Sequence, residues 1–224
     1  DNARAAATPV EVAPWPLVDL LQSEKKSLGF YLSGHPYSAY QKELADLVSV
    51  KLGQLSPQYP QVVLAGIVHA TRTLHGKRGR MAFVTLDDGS ARVEVAVFQE
   101  LFEANRAWLK EDQLLVVEGK VSRDDYTGGF KVGATRLYDL DAARAQFAKS
   151  MCLCLNGEAN ARLLMEILTP YRPGNCAVEI AFRNARANCT LKLGEQWRVR
   201  LQGSLIQSLT AWLNEENIAV HYRP

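Results

Sequence analysis

Residues 61–98 read QVVLAGIVHATRTLHGKRGRMAFVTLDDGSARVEVAVF, and the period of this stretch decides the fold. From Gln61 to Thr73, Val63, Ala65 and Ile67 alternate with Val62, Leu64 and Val68, the two-residue period of a strand that sends successive side chains to opposite faces. Gly66 interrupts the run and predicts a bulge or sharp coil at that point. A basic turn follows, Gly76-Lys77-Arg78-Gly79-Arg80, then a strand from Met81 to Asp87 and the turn Asp88-Gly89-Ser90. In the third strand Val93, Val95 and Val97 face one way, and Arg92, Glu94 and Phe98 the other.

Downstream, Leu101, Phe102, Ala107 and Leu109 give Gln99 to Lys110 a helical spacing. A fourth strand runs from Gln113 to Arg123, the turn Asp124-Asp125-Tyr126-Thr127-Gly128-Gly129 follows, and a fifth strand runs from Phe130 to about Leu140. Three strands, a helix and two strands is the order of an OB-fold, the five-stranded Greek-key barrel. SH3-like barrels lack that helix. The barrel domain is placed at residues 49–148.

Upstream, residues 1–16 carry Pro9, Pro14 and Pro16 among small residues and read as a linker, with Trp15 either docked on a neighbouring surface or left in the linker. Residues 17–48 read as a helical lead-in: Leu17, Leu20, Leu21, Leu28 and Tyr31 recur at helical spacing, Gly34 and Pro36 stop that helix, and a second spans Ser38 to Leu47. Residues 149–224 read as a small α+β domain. Its strands are Met151–Leu155, Ala177–Arg183, Cys189–Leu193 and Ile218–Tyr222, and its helices Glu158–Tyr171 and Ser204–Asn214. That β-α-β-β-α-β order predicts a split, ferredoxin-like β-α-β layer. The fold class is therefore a β barrel plus α+β.

The 224 residues are 47% hydrophobic and 22% charged, with a formal net charge of +2. This excludes a disordered tail, a collagen-like rod and a polybasic arm. No apolar run approaches the roughly 18 residues of a membrane helix, and no basic-then-apolar signal order opens the chain. The expectation is a cytoplasmic segment with no membrane partner, cut from a longer chain. Cys152, Cys154, Cys176 and Cys189 form no C-x-x-C pair, and read as reduced thiols packed as small hydrophobes.

Catalysis finds no support in the pattern. The acidic pairs Asp87-Asp88 and Asp124-Asp125 lie at hairpin turns, where Asp is the default structural choice. His35, His69, His75 and His221 lack any metal or nucleophile context. No catalytic residue, metal site or cofactor is expected.

Charge is more informative locally. From Leu47 through Leu86 there is no Asp or Glu, while Lys51, Arg72, Lys77, Arg78 and Arg80 are basic. Most of these fall at the first-to-second strand turn, beside His75. OB-folds bind nucleic acid across the second and third strands, between this turn and the one joining the last two strands, here flanked by Arg123, Tyr126 and Lys131. A basic track with aromatic stacking platforms is what single strands require. The competing reading is a solvated loop on a barrel that binds oligosaccharide or protein, with Phe83 and Phe130 in the core and Phe98 closing the barrel bottom. In the second domain, Trp197 with Arg198, Trp212 and Tyr222 are candidates for a partner surface, although Trp212 also suits the apolar stripe of the last helix.

SEKKSLGFYLSGHP at residues 23–36, the stretch 65–98, EGKVSRDDYTGGFKVGATRLYDLDAAR at 118–144 and LGEQWRVR at 193–200 together resemble the alpha subunit of bacterial DNA polymerase III, a replicative C-family polymerase. The resemblance runs through essentially the whole chain. It implies an OB domain that contacts single-stranded template and a small C-terminal domain that binds the tau subunit of the clamp loader. The palm carboxylates and PHP domain would lie upstream. The sliding-clamp motif is also expected upstream, because residues 1–15 hold no good copy and Gln99-Glu100-Leu101-Phe102 falls on the barrel helix. The segment is thus expected to be noncatalytic. The alternatives are a tRNA-anticodon-type OB domain of a class II synthetase, which a large catalytic domain should follow, and an OB scaffold that binds only protein.

Overall fold

The computed structural model describes residues 15–59, 61–76, 79–124, 128–155, 160–183 and 188–222. The lead-in consists of α1 (Leu17–Leu28) and α2 (Ser38–Leu44). α1 ends earlier than Gly34: Gly29, at φ 82°, donates its N–H back to the Lys25 carbonyl, the left-handed cap that a Cβ would strain. The Glu24 carboxylate then accepts the N–H groups of Leu32 and Ser33 at 2.8 and 3.0 Å, which fixes the chain beyond the cap.

The barrel is built from β1 (Val62–Gly76), β2 (Gly79–Asp87), β3 (Arg92–Val97), α3 (Gln99–Asn105), β4 (Leu114–Arg123) and β5 (Phe130–Tyr138). The strands close in the order β1-β2-β3-β5-β4. Closure is made by β3 and β5, which run parallel with Glu94 opposite Lys131 and Ala96 opposite Gly133. Val68, Val84, Leu86, Val95, Val97, Leu115, Val117 and Val132 fill the interior. β1 is long because it bends: residues 62–67 pair with β4, and residues 67–76 with β2.

The irregularity in β1 falls between Val68 and Ala70, not at Gly66. Gly66 serves a different purpose. A Cβ there would stand 3.1 Å from both the Asp87 carbonyl oxygen and the Leu86 Cβ, so the glycine lets two backbones approach where β1 turns from one partner to the other.

α4 (Leu140–Phe147) leaves the barrel, N-capped by Asp139, whose carboxylate accepts the Ala142 N–H at 2.7 Å. The second sheet follows: β6 (Ala148–Leu155), α5 (Ala161–Leu168), β7 (Ala177–Arg183), β8 (Asn188–Lys192), α6 (Gly203–Leu213) and β9 (Ile218–Tyr222). The α+β class and the element order hold, but the β-α-β unit is not split. The strand order is β8-β7-β6-β9, and β6 and β7 are direct parallel neighbours. In a split unit another strand would lie between them. β8 would have to occupy a covered position, yet its residues Asn188, Cys189, Thr190, Leu191 and Lys192 are all exposed, and so polar a strand is stable only at an edge.

One face of this sheet lies under α5 and α6, where Met151, Leu153, Val178 and Ile180 meet Leu164, Leu168, Leu205 and Leu209. The same buried cluster includes Leu44 and Leu47 of the lead-in and Ala65, Ile67 and Val116 from the barrel wall. Barrel, lead-in and second sheet are therefore joined by continuous apolar contact. All four cysteines are free. Cys176 is buried as expected of a small hydrophobe, whereas Cys189 is exposed on the edge strand.

Candidate nucleic-acid interface

The two-residue period that fills the barrel also builds its outer wall. With Ala82, Val84 and Leu86 turned inward on β2, Met81, Phe83 and Thr85 must point out. On β3, Val93, Val95 and Val97 are buried, so Glu94 and Ala96 point out. The strand register aligns these outward residues in rows. Arg72 lies opposite Phe83, Phe83 opposite Ala96, and Ala96 opposite Gly133. The next row holds Ala70, Thr85, Glu94 and Lys131.

Arg72 is the centre of this wall. Its guanidinium carbon lies 5.2 Å from the centroid of the Phe83 ring, a cation–π distance, and its Nη2 lies 3.4 Å from the Glu94 carboxylate. Both charged side chains are solvent-exposed, so the ion pair is weak and easily exchanged. One strand step away, Arg80 Nε donates to His75 Nε2 at 2.7 Å. Because the guanidinium can only donate, His75 accepts through an unprotonated Nε2.

At the other rim, Asp124 and Gly129 close the β4–β5 turn by backbone hydrogen bonds. Arg123 stands opposite Phe130 there, and Lys131 Nζ lies 3.8 Å from the Asp124 carboxylate. Between the rims runs a groove of about 770 Å³ whose lining includes Arg72, Thr85, Arg92, Glu94 and Phe130.

Of the residues singled out from sequence, Arg72, His75, Arg80, Arg123 and Lys131 lie on or beside this wall. Lys77, Arg78 and Tyr126 lie outside the described residues. Phe83 is neither core nor interior but an outward, half-buried ring, as its place in the alternation Met81-Phe83-Thr85 already signals. Phe130 is partly buried against the barrel core. Phe98 does not close the barrel bottom: it is 58% exposed, while Phe102 and Leu109 are buried there.

The acidic turn is occupied by structural work. The Asp88 carboxylate accepts from the Ser90 hydroxyl and from the N–H groups of Leu52, Ser90 and Ala91. Asp87 pairs with Arg92 at 2.7 Å and with His35 at 3.2 Å. Burial alone would raise both carboxyls, but their hydrogen bonds, joined at Asp87 by the charge of neighbouring His35 and Arg92, outweigh it and hold them below their ordinary pKa. Among the described residues, no group of three or more His, Cys, Asp or Glu is placed to hold a metal ion.

The proposed partner residues are dispersed. Trp197 is half-buried, with the Arg172 guanidinium carbon 4.2 Å from its ring centroid. Arg198 is held by Glu195 and donates to the Asn175 carbonyl at 2.8 Å. Trp212 packs against the second-sheet core. Tyr222 is buried and its hydroxyl donates to Glu43 at 2.5 Å, so its side chain presents no surface to a partner.

Residues 62–140 match the family described as OB-fold nucleic acid binding domain, and residues 163–213 match DNA polymerase III subunit alpha, C-terminal domain. The chain is 36% identical to DNA polymerase III subunit alpha of Pseudomonas aeruginosa over 92% of its own length and 18% of that protein's. Against the Escherichia coli K12 protein of the same name it is 34% identical, over 93% of this chain and 19% of the relative. The chain thus spans about a fifth of the length of these relatives. Among solved structures, asparaginyl-tRNA synthetase from Pyrococcus horikoshii is similar at 24% identity and a TM-score of 0.33, over 41% of this chain and 22% of that one.

Proposed function

Because the chain belongs to the C-terminal region of the bacterial DNA polymerase III alpha subunit, we propose that its barrel binds single-stranded template DNA on the outer wall of β2 and β3. Its second sheet then serves as the docking module for the clamp-loader tau subunit. The observation that carries the DNA reading is the Arg72–Phe83 pair, a cation lying against an outward aromatic ring on a barrel wall flanked by basic residues. A single strand needs both: phosphates are met by cations, and unpaired bases stack on rings, worth about 1–3 kcal/mol per base. Arg72 can exchange the exposed Glu94 carboxylate for a phosphate at little cost.

In this reading the segment contributes no catalytic group. Polymerisation belongs to the part of the parent subunit that this chain does not span, and so does the sliding-clamp contact. The acidic pair Asp87 and Asp88 is committed to Arg92, His35 and backbone N–H groups. An anticodon-type function is less well supported than the polymerase one, since the synthetase likeness covers 41% of the chain and the polymerase relatives 92–95%. Fluorescence anisotropy of a labelled single-stranded oligonucleotide, titrated with the 224-residue chain at two salt concentrations, tests the barrel role. Binding that weakens with salt is expected. Absence of binding at low salt would sink it.

A further inference from the structure

The outer wall does not end at Phe83. Continuing the outward series Glu94, Ala96 by one step leads to Phe98, which is 58% exposed at the end of β3. On β1, Leu74 is 44% exposed opposite Met81. Met81, Phe98 and Leu101 line a groove of about 760 Å³ between β2, α3 and β5, together with Arg80 and, on α3, Glu100. Phe83 and Phe98 lie diagonally across β2 and β3, with Met81 and Ala96 at the other two corners and Gly133 beyond Ala96 on β5. Gly133 has no neighbour nearer than the Lys120 carbonyl oxygen, 4.0 Å from where its Cβ would be. The surface thus carries two aromatic rings set around Met81 and the small Ala96. An exposed apolar patch with a polar rim is a binding surface far more often than an accident.

We infer that the Phe98 groove is a second base-binding subsite, in which a nucleotide of the same single strand stacks on Phe98 while another stacks on Phe83. The inference rests on the reading of the barrel as a DNA-binding module and adds the strand's path. That path leads from the Arg72–Glu94–Lys131 side, past Phe83 and over Ala96, to Phe98 and Arg80. Two features favour nucleic acid over a protein segment as occupant. The groove lies along the same outer wall of β2 and β3, and among the described residues Arg80 forms no ion pair, its side chain donating to His75, which leaves its charge for a phosphate. The rows of Phe83 and Phe98 are one two-residue step apart, about 6.6 Å along a strand. That is roughly twice the 3.4 Å spacing of stacked nucleotides, so bases held on both rings are splayed apart, as only an unpaired strand allows.

The test uses the whole 224-residue chain and thymidine oligonucleotides, intact or with a single abasic site moved along the strand. Expected are an abasic position that weakens wild-type binding and is silent in Phe98→Ala, a second such position silent in Phe83→Ala, and an affinity loss of about fivefold or more in each variant. Phe98→Tyr should restore the wild-type profile. Because Phe98 is largely exposed, its replacement should leave the melting temperature unchanged. If wild type and Phe98→Ala bind equally and share one abasic profile while Phe83→Ala is weakened, the subsite is overturned and the barrel reading survives. If wild type shows no salt-dependent binding, both fall. Unchanged DNA binding by Phe98→Ala with loss of tau capture would assign the groove to a protein and overturn the inference.

Discussion

Arg144 and Glu43, 101 residues apart in the chain, meet in a two-point pair: Nε and Nη2 donate to the two carboxylate oxygens at 2.7 and 2.8 Å. Tyr222 donates to the same carboxylate, and Asp141 takes Arg144 Nη1 at 3.0 Å while accepting the Gly203 N–H at 2.8 Å. One buried guanidinium thus ties α2, α4 and, through its partners, β9 and the start of α6. Burial alone would lower the Arg144 pKa, but the hydrogen bonds and charge of Glu43 reverse the sign and raise it. Replacing Arg144 by Met leaves the Glu43 carboxylate, among the described residues, with Tyr222 as its hydrogen-bond donor, and should cost about 3 kcal/mol, read as a lower urea midpoint. The double variant Arg144→Met with Glu43→Leu should lose less than the single one, because no charge is then stranded. An equal or larger loss would mean that the pair contributes through shape and not charge.

On the barrel wall, Arg72→Ala and Phe83→Leu should both weaken binding to single-stranded DNA, but in distinguishable ways. Removing a phosphate contact reduces the slope of log affinity against log salt by about 1. Removing a stacking ring leaves the slope alone and costs about 1–3 kcal/mol at every salt concentration. Identical slopes for wild type and Arg72→Ala would show that Arg72 meets no phosphate.

Glu94 faces the same wall as Lys131 and holds Arg72 at 3.4 Å. It repels an approaching phosphate and competes with it for the cation. Glu94→Gln should therefore tighten binding by roughly two- to fivefold, the range of an exposed ion pair. The gain should shrink as salt rises. Weaker binding in this variant would mean that Glu94 positions Arg72 for DNA instead of withholding it.

The barrel was legible in the sequence because its strands alternate cleanly: Val93, Val95 and Val97 can be buried only if Arg92 and Glu94 are not. The order of strands in the second sheet was not legible, since β-α-β-β-α-β fits both split and unsplit arrangements. What separates them is the polarity of Asn188 to Lys192, which decides that β8 is an edge. Basic residues of the candidate site could be found because their charge keeps them outside wherever the barrel closes. Phe83 and Phe98 were obscured by the opposite rule, as apolar rings default to the core unless their place in the alternation is followed. Tyr222 was misplaced because a buried hydroxyl needs a partner, and Glu43 lies 179 residues away in sequence.

Acid should unfold the β2–β3 turn before the sheets. The Asp87 and Asp88 carboxyls are held below their ordinary value of 3.8. Groups with depressed pKa in the folded state contribute stability that is fully present above their unfolded value and lost as pH falls through the folded one. Stability should thus be flat above about pH 5 and decline below about pH 4. In Asp88→Asn the acid limb should be shallower and stability at neutral pH lower, as the Ser90 hydroxyl and the N–H groups of Leu52, Ser90 and Ala91 lose a charged acceptor. An unchanged acid limb in urea titrations between pH 3 and 7 would remove Asp88 as its source.

Trp197 offers the sharpest test of the docking role proposed for the second sheet. Its ring lies beneath Arg172 at 4.2 Å, and the neighbouring Arg198 is anchored to Glu195 and to the Asn175 carbonyl. Partly buried tryptophan with an adjacent arginine is the composition of an interface hot spot. Trp197→Ala should weaken capture of the tau subunit by about thirtyfold or more, the mark of a hot-spot residue. Trp212→Phe, which keeps an apolar ring against the second-sheet core, should leave capture unchanged. If Trp197→Ala lowered the urea midpoint and captured tau as wild type does, Trp197 would be a packing residue and the partner surface would lie elsewhere on the sheet.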